Sequence, residues 1–163
     1  MPWLLIQLTK RADGRAVLRC TRADGSVTWQ RQDGRYAAFF PLHDLTHYAI
    51  ETELGYAHGF FGLIADGWDI DQTSGESSRG ALPREAIEVE HLVGMFDLER
   101  ASGTLWTADE LHAHACAYAK DSNLPPPRRH TEEQLQRVRR RLHDLLEQWR
   151  DLPPGKALDL HFS

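Results

Sequence analysis

The sequence predicts an α+β fold, and three observations carry that prediction. Short β-prone runs separated by Asp-Gly pairs fill residues 1–35, helical periodicity occupies the middle of the chain, and the last residues alternate apolar with polar. The expected architecture is a small antiparallel sheet, made of an N-terminal three-stranded meander plus a C-terminal strand, packed against about four helices.

The pairs Asp13-Gly14, Asp24-Gly25 and Asp33-Gly34 supply the positive φ angles that tight hairpins need. They place strands near 3–10, 16–22 and 26–31. After the breaker Pro153-Pro154-Gly155, Leu158, Leu160 and Phe162 alternate with Asp159 and His161, which makes 157–162 the fourth strand of the same sheet. The first helix is expected over 42–54, ending at Gly55. Residues 55–82 read as a loop: a glycine-studded apolar part that packs tightly under the core, then the mobile polar stretch Asp71–Ser78. A second helix starts at Pro83 and runs to about Arg100, with Val89, Leu92, Val93 and Phe96 as its buried stripe. The box Thr107-Ala-Asp-Glu110 starts a third, running to about Lys120. The fourth, 131–152, carries a seam of Leu135, Val138, Leu142, Leu145, Trp149 and Leu152. A seam this short fits packing in the chain's own core, with a homodimer through 131–152 as the alternative.

Length and composition bound the class. With 163 residues, 41% of them hydrophobic, the chain supports one domain over 1–163 that needs neither a disulfide nor a structural metal. Cys20 and Cys116 lack the spacing of a zinc or redox motif and read as small buried thiols. The apolar run Trp3–Ile6 is too short for a signal segment or a membrane span, so the expected location is cytoplasmic. A net charge of −5 argues against nucleic acid or an anionic membrane as partner. The arginines 128, 129, 137, 139, 140 and 141 share their segment with Glu132 and Glu133 and read as a solvated helix face. No Gly-rich nucleotide loop and no nucleophile elbow occurs, which excludes nucleotide-cofactor and serine-hydrolase chemistry.

The segment that suggests chemistry is Phe40-Pro-Leu-His-Asp-Leu-Thr-His-Tyr-Ala-Ile-Glu51. Histidines four apart on a helix share one face, so the imidazoles of His43 and His47 can hold one metal ion, zinc or another divalent cation. Asp44 and Glu51 fall on the same arc and are the candidate bases for hydrolysis by a metal-bound water. No Lys, Arg or Gln lies between Pro41 and His58, which places this polar face in a cleft rather than in open water. His43 and Glu51 are about 12 Å apart along the axis, so a third ligand must come from elsewhere. His91, in the pair Glu88-x-x-His91, and His112 or His114 are the candidates. Two explanations compete with the metal. His43 caps a helix start while the acids favour its N-terminal half, or the face belongs to a non-enzymatic domain that binds a small molecule or a protein.

Together with Gly59-Phe-Phe-Gly-Leu-Ile-Ala-Asp-Gly-Trp-Asp-Ile70, the histidine segment resembles an uncharacterised bacterial protein family, which implies a bacterial source and no particular activity. His43-Asp44-x-x-His47 also resembles the zinc-type HDxxH motif of Coq4-like ubiquinone-biosynthesis proteins. There a glutamate follows at the position held here by Gly59, so the resemblance implies only the ligand logic of the two histidines.

Overall fold

The computed structural model describes residues 2–75 and 79–163. Strands β1 (Leu4–Lys10), β2 (Ala16–Arg22) and β3 (Val27–Gln32) form the meander, and β4 (Ala157–Phe162) closes the sheet in the order β3-β2-β1-β4. Every pairing is antiparallel; Ile6 lies between Cys20 and Leu160, and Leu8 between Leu18 and Leu158. Gly14, Gly25 and Gly34 all take the left-handed φ that their turns require. The fold is the α+β arrangement the sequence predicts.

The two faces of the sheet differ as the alternation demands. Leu4, Ile6, Leu8, Ala16, Leu18 and Cys20 point into the core. The opposite face is polar: Arg19 donates to Gln7 at 3.2 Å, Gln7 donates to Asp159 at 3.3 Å, and Trp29 stands exposed beside them.

The central element is α1 (Phe39–Leu54), which begins three residues before the expected Leu42. Pro41 sits in its first turn, where a backbone N–H has no helical partner in any case. Every residue from Asp44 to Glu51 is buried: α3 and α5 pack along α1, and Asp44 and Tyr48 bond to Gln32 of β3 and the His161 carbonyl of β4. The buried stretch 44–51 has no room for an unpaired Lys or Arg, which accounts for their absence there.

Residues 55–82 are not a plain loop. They contain α2 (Phe60–Ala65) and a 3-10 turn, Ile70–Gln72, so the described residues form five α-helices rather than four. Six residues are too few to show a helical period, and α2 persists because Phe61, Leu63 and Ile64 are buried. A Cβ on Gly62 would lie 2.0 Å from the carbonyl oxygen of Ala57, so only glycine allows α2 to seat there. The expected mobile stretch falls partly outside the described residues, at Glu76, Ser77 and Ser78; ahead of it, the Thr73 hydroxyl donates to the Ile70 carbonyl at 2.6 Å.

Helices α3 (Arg84–Ser102), α4 (Ala108–Asp121) and α5 (Glu132–Asp151) match the expected spans to within two residues. The α5 seam lies in the chain's own core, with Leu135 and Val138 fully buried and Trp149 7% exposed. One of the α5 arginines is not solvated: Arg139 grips buried Glu99 through two nitrogens, at 2.8 and 3.0 Å, and donates to the Trp106 carbonyl at 2.6 Å. Among the described residues, no helix is long and apolar enough to cross a membrane.

Candidate metal centre

The histidines of α1 point toward α3, His47 buried and His43 partly exposed in a cleft. His43 and His47 sit one turn apart, with ring centroids 4.9 Å from each other and nearly perpendicular planes. Both Nε2 atoms aim at one carboxylate, that of Glu90 on α3: His43 Nε2 lies 3.3 Å from Oε1 and His47 Nε2 lies 2.9 Å from Oε2. The three ligand atoms lie within 4.8 Å of one another, and the group could hold a metal ion. Two ligands on one tetrahedral zinc ion stand about 3.4 Å apart, so small side-chain shifts close the set.

The other ring nitrogens are held just as firmly. His43 Nδ1 donates to Asp97 Oδ2 at 2.7 Å, and Arg100 fixes Asp97 from behind by donating to its Oδ1 at 2.9 Å and to the Thr46 hydroxyl at 3.2 Å. His47 Nδ1 donates to Glu51 Oε2 at 3.1 Å. The remaining Glu51 oxygen accepts the backbone N–H groups of Phe61 and Gly62, at 3.0 and 3.2 Å, at the start of α2. Gly59 makes this possible: a Cβ there would come within 2.5 Å of the Glu51 carboxyl carbon. Each imidazole is thus set between an outer carboxylate on Nδ1 and the shared Glu90 on Nε2, the arrangement that fixes a ligating histidine's tautomer and ring orientation.

Electrostatics follow from burial and pairing. Burial lowers the tendency of His47 to hold a proton, but its bonds to Glu51 and Glu90 outweigh this and raise it to about 10. His43 is raised to about 9 by Asp97 and Glu90, again against burial. Glu90 is held well below the usual carboxylate range, because its bonds to the two histidines outweigh burial. Burial pushes the Glu51 carboxyl upward against its bonds to His47 and the two amides. In the metal-free protein both imidazoles therefore carry charge at neutral pH, and a metal ion must displace their protons.

Asp44 lies in the same cleft, buried, with Oδ2 accepting from Gln32 of β3 at 2.5 Å; burial pushes its carboxyl up to about 6. The cleft has a volume of about 330 Å³. Its walls are Phe60, whose ring centroid is 5.2 Å from that of His47, together with Leu82, Thr73 and Ser74. Glu90, half-exposed, stands on the open side while His47 lies at the back, 3% exposed.

The structure thus brings together His43, His47, Asp44 and Glu51, the four residues singled out by sequence, and adds Glu90 and Asp97. The third-ligand candidates lie elsewhere. His91 is next to Glu90 in sequence but stacks on Tyr118 of α4, with centroids 4.3 Å apart, and its Nε2 is 3.2 Å from His114 Nδ1. His112 Nε2 lies 3.3 Å from the sulfur of Cys116. Glu90 and Asp97 are seven positions apart on α3, so they face α1 on one stripe; that spacing is the one sequence signal of an acidic face on α3, and which helix it meets is set by the packing. No family model, curated protein or solved structure matches this chain.

Proposed function

We propose that the chain is a divalent-metal protein of zinc type, with His43, His47 and Glu90 as ligands and hydrolysis as its reaction. The observation that carries this reading is the convergence of two Nε2 atoms on one carboxylate while each Nδ1 is already bonded to another. Two histidines and a glutamate with one side open is the donor set of catalytic zinc, which keeps a position for water or substrate. A bound ion would supply an activated water and polarise a carbonyl. Asp44 serves as the base: it takes a proton from the attacking water, the water oxygen joins the carbonyl carbon, and the proton passes to the amide nitrogen or ester oxygen as that atom's bond to the carbonyl carbon breaks. Glu51 and Asp97 act as positioning residues that hold the two rings.

Elemental analysis of protein purified without a histidine tag tests the centre. The expected result is near-stoichiometric metal, abolished by His47→Ala and by Glu90→Ala while the circular dichroism of the fold persists. One observation favours a second reading, in which the cluster is a structural ion-pair network: the charged histidines are already matched by Glu51, Asp97 and Glu90 without any ion. Offering zinc, nickel, manganese and iron(II) in turn decides between them, since the network reading requires that none binds saturably.

A further inference from the structure

The walls and charge of the cleft say what kind of molecule it admits, if the metal reading above holds. Among the described residues lining the cleft there is no Lys and no Arg. The nearest guanidinium in the network, Arg100, is committed to Asp97 and Thr46. With a divalent ion in place, that ion and Arg100 face three carboxylates, Glu90, Glu51 and Asp97, so their charges cancel; Asp44 can only add negative charge. Two backbone amides near the ligands, those of Phe61 and Gly62 at the start of α2, are already bonded to Glu51. Enzymes that handle phosphoryl or carboxylate groups surround them with arginines, lysines or free amides. Among the described residues lining this cleft, no arginine or lysine plays that part. The aromatic ring of Phe60 and the side chain of Leu82 instead present apolar surface beside the ligands. The volume of about 330 Å³ is near the small end of ligand pockets, roughly 300–1,000 Å³.

We infer that the substrate is a small uncharged carbonyl compound, an amide or ester with an apolar substituent that lies against Phe60 and Leu82, and that phosphate esters and carboxylates are excluded.

The test uses the full chain loaded with cobalt(II), whose visible bands report changes at the metal. Acetamide and benzamide, uncharged carbonyl ligands, should each shift the bands saturably. The benzo compound should bind about tenfold tighter because its ring buries more apolar surface. Phosphate and acetate should leave the bands unchanged at concentrations that saturate with the amides. Phe60→Ala should abolish the preference for benzamide, and Leu82→Lys should create phosphate binding. Phosphate binding to the unaltered protein as tight as that of acetamide would overturn the inference while leaving the metal centre standing. Failure to develop any saturable cobalt spectrum removes the centre itself, and this inference with it.

Discussion

Glu51→Gln is the sharpest probe of how the centre is held, because the replacement is nearly isosteric and the cost can be worked from hydrogen bonds. In the protein one Glu51 oxygen accepts two backbone N–H groups and the other accepts His47 Nδ1–H, all at 3.0–3.2 Å, and the side chain is fully buried. An amide has a single oxygen. If it faces Phe61 and Gly62, its NH2 meets the His47 N–H; if it turns, the NH2 meets two backbone N–H groups. As long as His47 Nδ1 keeps its proton, either orientation leaves at least one buried donor without an acceptor, which costs about 1–3 kcal/mol. Loss of the outer carboxylate on a ligating histidine should also weaken metal binding by about 10–100-fold. Urea unfolding in the presence of a chelator measures the first effect, and competition against a chromophoric chelator measures the second. A variant with unchanged midpoint and unchanged zinc affinity would refute the argument that Glu51 joins α2 to the ligand set.

Four further outcomes are expected. Because His43 and His47 are raised from 6.5 to about 9 and about 10 in the metal-free protein, metal binding should expel protons, and zinc affinity should climb by about one to two decades per pH unit between pH 6 and 8; a plateau above pH 6.5 would contradict the pairing. By the same sign, the stability that these two groups give the metal-free fold is complete below pH 6.5 and is lost as pH rises through about 9 and about 10, which chelator-treated protein should reveal in thermal melts. Gly59→Ala should destabilise the protein by about 1–3 kcal/mol through overpacking against the Glu51 carboxyl, and weaken metal binding with it. Leu142→Ala should cost about 2–5 kcal/mol in monomer stability, as large-to-small core changes do, with gel-filtration elution unchanged.

The meander was legible because each Asp-Gly pair imposes a backbone geometry that few other dipeptides accept, and β4 because Leu158, Leu160 and Phe162 had to share a face. The two histidines were legible for a similar reason: a spacing of four is a statement about one helix alone. Glu90 was not, since its role depends on how α3 lies against α1, and the neighbouring His91 is the more conspicuous ligand type. Its side chain turns the other way, onto Tyr118. The place of Glu51 was hidden for a different reason. It depends on α2, a helix too short to announce itself, whose approach is permitted by the missing side chains of Gly59 and Gly62. The glycines were read as marks of tight packing, but what they pack against could not be inferred from the segment that contains them.

The bond from Glu51 to the first amides of α2 gives the centre a built-in spectroscopic reporter. Phe61 and Gly62 contain no ligand atom, yet their N–H protons end on the carboxylate that touches His47. Whatever changes the charge of that imidazole, proton or metal, changes how strongly the carboxylate pulls on those two protons. In a two-dimensional amide spectrum, the Gly62 resonance should follow the state of the centre across a titration. Slow hydrogen exchange at the same two positions would record how rarely the carboxylate lets go.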